Sequence, residues 1–142
     1  INVYERLAKW GEPVVQGLYF TKDTPPRIAA FYKQGPLFHN IREYPPDRLM
    51  PIDSGGTGVM LTHTEIFLYL DFPYFEYYRT PLTGKALVGE DTYFMDQCLE
   101  RGIPMFMDTG CKSTGLPKKE HASEEDYFEF LEAQNRYLAS RH

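Results

Sequence analysis

The chain is short of cations, of cysteine and of long apolar runs, and each shortage removes a class of function. Fifteen Lys and Arg against 20 Asp and Glu leave a formal charge of −5 over 142 residues. General nucleic-acid binding would need a basic face to displace counterions from phosphate. No apolar run approaches the roughly 18 residues that a membrane-spanning helix requires, and no signal peptide opens the sequence. The two cysteines, Cys98 and Cys111, lack metal-ligand spacing. Cys98 lies on an apolar helix face and reads as a small buried thiol, which fits a reducing cytoplasm, with a disulfide left open. Internal repeats and low-complexity tracts are missing as well.

What is present is the material of one ordinary domain, 142 residues long and able to bury a respectable core. Strands alternate with helices, which predicts the α/β class: a mixed β-sheet with flanking helices. Residues 2–10 read as the end of a helix with Val3, Leu7 and Trp10 on one stripe, stopped by Gly11 and Pro13. Residues 14–20 have the apolar content of a buried strand and residues 28–32 of another; residues 34–48 read as a long loop with a short strand around 38–41. A strand is expected at 57–61, and Thr62-x-x-Glu65 is a capping box for a helix reaching Leu70. Residues 72–78 have strand composition, 79–89 read as a mobile loop, and 104–108 as a strand. Ser123 to Asp126 should cap a last helix with Tyr127, Phe130, Leu131 and Leu138 inward. Aromatic residues reach 15%, with 11 Tyr. Most of these rings belong in a core, yet tyrosine-rich surfaces also suit sugars, because each ring offers a face and a hydroxyl.

The segment richest in chemistry is Val88-Gly-Glu-Asp-Thr-Tyr-Phe94, followed by Gln97-Cys-Leu-Glu-Arg-Gly-Ile-Pro-Met-Phe-Met-Asp108. It sets two adjacent carboxylates at the mouth of a helix over residues 91–101. Spacings of three and four put Asp91, Phe94, Met95, Cys98 and Leu99 on one face, with Thr92, Asp96 and Glu100 toward water. An inward carboxylate at a helix start suits a general base at the floor of a cleft. The alternative is that Glu90 and Asp91 only complement the helix dipole, an effect of about 0.3–1 kcal/mol. Close carboxylates also raise one pKa, which makes a better base near neutrality. Upstream, Pro51-Ile-Asp-Ser-Gly-Gly-Thr-Gly-Val-Met-Leu-Thr62 is a glycine-rich turn feeding a strand. Its glycines precede the strand, unlike those of a dinucleotide fingerprint or a P-loop. Further upstream stands Pro13-Val-Val-Gln-Gly-Leu-Tyr-Phe20.

In that order these segments resemble the second half of a glycosyltransferase with the GT-A fold (the nucleotide-diphospho-sugar transferase fold). The family is the large inverting one, glycosyltransferase family 2-like, that includes cellulose-synthase-like and polysaccharide-building enzymes. The resemblance covers residues 12–108. It implies a cytoplasmic enzyme of polysaccharide biosynthesis that moves a sugar from a nucleotide-diphosphate donor to a hydroxyl acceptor with inversion. It further implies that residues 1–142 are one domain, the carboxy-terminal portion of a larger glycosyltransferase domain. By the resemblance Asp91 is the base, and Glu90 positions the acceptor or Asp91 itself. Asp53, Gly55, Gly56, Thr57 and Gly58 line the donor-sugar pocket, where glycines let the backbone come close to a ligand. The same turn, taken alone, is also what a tight reversal of the chain requires.

Two departures matter. No Asp-x-Asp occurs, so the divalent metal expected of the complete enzyme, Mg or Mn, would take most ligands from outside this chain. At about 30 residues per βαβ unit, the absent nucleotide half would be roughly 60–100 residues, and its packing face would be an apolar surface open to homodimerisation. Many members of the family also have a metal-binding His where this chain has Gly115. His121 is the nearest substitute, among Lys118, Lys119 and Glu120, and reads as solvated. Lys112 is placed to face the diphosphate instead. His39 and His63 lack partners at ligand spacing. Two other readings stand beside transfer: a two-carboxylate glycoside hydrolase using Asp53 with Asp91, and a non-catalytic saccharide-binding or assembly module built on Phe72-Pro-Tyr-Phe-Glu-Tyr-Tyr78.

Overall fold

The computed structural model describes residues 2–21, 24–79, 87–112 and 124–140. In chain order the elements are helix α1 (Val3–Ala8) and strands β1 (Val14–Leu18), β2 (Ala30–Gln34), β3 (Leu37–Asn40), β4 (Leu49–Ile52), β5 (Ser54–Gly55) and β6 (Met60–Thr62). A 3-10 helix (Thr64–Leu68) follows, then β7 (Tyr78–Arg79), β8 (Leu87–Val88), α2 (Glu90–Glu100), β9 (Met105–Lys112) and α3 (Glu124–Ala139). The mixed α/β class expected from the sequence is what the structure has.

The main sheet has four strands in the order β4-β9-β1-β6. β1 runs parallel to β9 and antiparallel to β6. Every residue of β1 is buried, as a central strand covered on both faces requires, which is why it reads as a near-continuous apolar run. Val15 points to the face covered by α1, joining Leu7 and Cys111. Val14 and Leu18 point to the other face and pack with Met105, Met107, Phe94, Met95 and Cys98. A second sheet, β3-β2-β5, with the residues flanking its strands, covers part of that larger core through Ala30, Ile28 and Ile41. Both cysteines are buried and free. No helix among the described residues is long and apolar enough to cross a membrane.

α2 forms as expected, with Phe94, Met95 and Cys98 fully buried and Leu99 packed at the edge of the core. Gln97 is also buried, which its polarity hid; its amide is used, accepting from the Asp71 N–H at 3.0 Å and donating to the Asp71 carbonyl at 3.3 Å.

Several expectations need correction. The short strand expected around 38–41 is present as β3, but the segment before it is no loop: β2 runs to Gln34 and forms a hairpin with β3 whose turn has Gly35 at φ +60°, the left-handed conformation glycine adopts freely. The missed strand β4 pairs with β9 at the sheet edge, where Pro51 is tolerated. Thr62 does not cap a helix; it pairs with Val14 in β6, and His63 caps the five-residue 3-10 helix by accepting the Glu65 N–H at Nδ1, 3.2 Å. Residues 72–77 are not a strand, because their partners are side chains of α2 and neighbouring rings instead of a ladder. The strand expected to end at Asp108 continues to Lys112. In α3 Tyr127 is buried and Leu131 packs on the core, but Leu138 is exposed. Ser123, Gly115, Lys118, Lys119, Glu120 and His121, and residues 80–86 of the expected mobile loop, lie outside the described residues.

Asp108 fastens α1 to β9. Its fully buried carboxylate accepts from Arg6 Nε at 2.8 Å, Arg6 Nη2 at 3.1 Å and Trp10 Nε1 at 3.0 Å. A Cβ at Gly110 would strike the Arg6 guanidinium, so that glycine clears the path. Burial pushes the Asp108 carboxyl up, but the bonds from Arg6, Trp10 and the Gly110 N–H outweigh it and hold the group below its ordinary 3.8. With the folded pKa depressed, this stabilisation is present above about pH 4 and is lost as pH falls through the folded value.

Arg6→Ala should destabilise the protein by about 3–5 kcal/mol, because it strands a buried carboxylate. Asp108→Ala should cost less, since Arg6 can turn to water. Urea midpoints of the two variants check the order, and equal costs would mean that Asp108 is not held as a charge.

Candidate functional site

The middle of β1 and the residue just after it supply two polar tips, Gln16 and Tyr19. Gln16 is fully buried. Its Nε2 donates to the Ala29 carbonyl at 2.9 Å, and its Oε1 accepts from the Gly56 N–H at 3.2 Å. The Tyr19 hydroxyl accepts from the Gly58 N–H at 3.2 Å. The glycine-rich turn is thereby held by its own N–H groups against strand side chains. The absence of side chains at Gly55, Gly56 and Gly58 now has a local cause. A Cβ at Gly55 would meet the Gln16 amide, one at Gly56 the Tyr19 hydroxyl, and one at Gly58 would lie 3.0 Å from the Tyr19 ring. Thr57, half-buried, sits between them.

The Cβ position of Gly56 is also 3.6 Å from Asp91 Oδ2. Gly56 therefore separates a tyrosine hydroxyl from a carboxylate. The two oxygens of Asp91 have different surroundings. Oδ1 accepts the Thr92 N–H at 2.8 Å, which satisfies one of the open donors of the first helical turn, where Gly89 offers no side-chain cap. Oδ2 is directed to Gly56. Burial pushes the Tyr19 phenol up to about 12, with the Asp91 charge adding to it and the Gly58 bond opposing. Tyr19 is thus a neutral hydroxyl at any physiological pH.

Glu90 has a partner of its own in Tyr77. It accepts a hydrogen bond from the Tyr77 hydroxyl, and that bond holds the Glu90 carboxyl below its ordinary range. The raised pKa expected of one member of the pair is not found at Glu90. Asp53 has a structural partner: its Oδ2 accepts the Lys33 N–H at 2.6 Å and ties the turn to the β2–β3 hairpin. A hydrolase using Asp53 as its second acid loses ground by that bond. Lys112 pairs with Glu124 at 2.7 Å, and Glu124 also accepts from Tyr44 at 2.7 Å.

Sequence reasoning singled out Asp91 and the glycines but passed over Gln16, Tyr19 and Tyr77. The signal for the first two was available: Gln16 interrupts an apolar strand, and Tyr19 closes it. Tyr77 carried none, lying in an aromatic-rich stretch where no ring stands apart.

A hollow of about 690 Å³ lies away from these residues, lined among others by Gly11, Pro13, His63, Ile66, Ile103 and Pro104. It sits at the amino ends of β1 and β9, whereas open α/β sheets bind ligands at the carboxyl ends. Chemistry, and not volume, makes the Asp91 cluster the candidate. No group of three or more His, Cys, Asp or Glu placed to hold a metal exists among the described residues. Comparison of the chain with protein-family models, with curated proteins and with solved structures finds no match to any of them.

Gly56→Ala should cost about 1–3 kcal/mol through overpacking against the Tyr19 hydroxyl. Adding Tyr19→Phe should return part of that loss, with a coupling of about 1 kcal/mol in a double-mutant cycle. Strict additivity would show that the glycine is there for another reason.

Proposed function

We propose that this chain carries the base-bearing, acceptor-side portion of an inverting nucleotide-sugar glycosyltransferase. The observation that carries the reading is the arrangement of Asp91: one carboxylate oxygen anchored on the helix start, the other presented across Gly56 toward a neutral hydroxyl. An anchored carboxylate whose second oxygen accepts no hydrogen bond among the described residues suits a general base, since its lone pair must be aimed before the proton is taken. The motif order from β1 through the glycine-rich turn to α2 supports the same assignment.

In this reading Asp91 Oδ2 accepts the proton of an acceptor hydroxyl as that oxygen bonds to the anomeric carbon, while the bond from that carbon to the donor diphosphate breaks. Tyr19, fixed by Gly58, holds the turn at a set distance from Asp91. The Mg or Mn expected from the family has no ligand cluster among the described residues, and the chemistry assigned to this chain does not run through it. The donor half would belong to a further part of the glycosyltransferase. Exposed rings at Phe72 and Tyr77 favour one other reading, saccharide binding without transfer.

Asp91→Asn should lower transfer by about 10²–10⁴-fold in the form of the protein that turns over. Donor affinity and the urea midpoint should stay near their starting values. Near-normal turnover in that variant would reduce Asp91 to a helix-end charge.

A further inference from the structure

Residues 71–77 run lengthwise along α2. At the far end Arg101 donates to the Asp71 carboxylate at 2.6 Å, and Gln97 exchanges hydrogen bonds with the Asp71 backbone at 3.0 and 3.3 Å. One turn nearer the site, Phe75 stacks on Phe94 with centroids 4.8 Å apart and planes 12° from parallel. One turn nearer still, the Tyr77 hydroxyl is bonded to Glu90. The helix partners, Arg101, Gln97, Phe94 and Glu90, are spaced by three and four, so they line a single ridge of α2. The segment is thereby strapped to the helix and delivers Tyr77 to its first turn, beside Asp91.

Tyr77 differs from the rings behind it. Phe94 is fully buried, whereas Tyr77 is 60% exposed although its hydroxyl is held. A ring fixed at its tip and open on its face is what stacking against the apolar C–H face of a pyranose requires. Around it, Glu90 and Asp91 offer carboxylate oxygens, which accept hydrogen bonds from sugar hydroxyls and repel anions.

We propose that Tyr77 is the stacking wall of the acceptor subsite, that Glu90 is the positioning residue that holds it, and that the acceptor is a neutral saccharide. The assignment of the subsite to an acceptor rests on Asp91 as base; saccharide binding at Tyr77 does not.

The test is a titration of the protein with cellotriose, maltotriose and trigalacturonate, followed by the Tyr77 ring resonances in NMR spectra. At least one neutral trisaccharide should shift those resonances, and trigalacturonate should bind more weakly. Tyr77→Ala should weaken the neutral ligand about fivefold to tenfold, the loss of one stacking contact. Tyr77→Trp should restore most of the affinity. Glu90→Ala should weaken binding while leaving the urea midpoint unchanged. Silence at Tyr77 with both neutral sugars overturns the proposal, as does equal binding of the anionic one or indifference to Tyr77→Ala. An active Asp91→Asn enzyme that still binds sugar at Tyr77 would discredit only the base assignment. A dead Asp91→Asn enzyme with a silent Tyr77 would discredit only this subsite.

Discussion

Gln16 is fully buried in the middle of the central strand, and a primary amide in that position must find its hydrogen bonds inside the protein or cost several kcal/mol. It finds them in two directions. One end donates to the Ala29 carbonyl, just before β2, and so draws the second sheet onto the first. The other accepts from Gly56 and so fixes the glycine-rich turn. Tyr19, three residues on, repeats the arrangement with Gly58. The turn's position then follows from the strand, and with it the spacing of Gly56 from Asp91. The glycines are consequences of this constraint, since a Cβ at Gly55, Gly56 or Gly58 would occupy the space of the groups that hold the turn.

Two inward aspartates are used in opposite ways. Asp108 is fully buried and surrounded by donors from Arg6, Trp10 and Gly110. A charge so completely paired is a fastener, joining the first helix to the sheet, and has no lone pair to spare for chemistry. Asp91 is half-buried, has one oxygen tied to the helix start and directs the other to a glycine. Polar satisfaction thus separates the structural acid from the candidate catalytic one.

The elements legible in the sequence were those with strong period or strong apolar content. β1 and α2 announced themselves in that way, and the inward face of α2 held at Phe94, Met95 and Cys98. β4 was not legible because Pro51 and a polar surround mask an edge strand. Residues 72–77 misled because aromatic composition suits a strand and equally suits stacking on a helix. Within the site, Asp91 and the turn could be found from motif and spacing. The contact of Tyr77 with Glu90 and the role of Asp53 at Lys33 could not, because both depend on tertiary placement that no local pattern encodes. Thr62 shows the same limit at the scale of a cap: its spacing to Glu65 satisfied the capping pattern, but pairing with Val14 took it into the sheet.

The central claim is that Asp91 Oδ2 is aimed at the reacting hydroxyl of an acceptor. Its most direct test is a crystal structure with a non-transferable nucleotide sugar and an acceptor saccharide bound, in the longest form of the protein that holds both. The account predicts an acceptor hydroxyl about 2.6–3.2 Å from Asp91 Oδ2 and in line with the donor's anomeric carbon. An acceptor bound with that oxygen out of reach, or a different carboxylate at that distance, would contradict it.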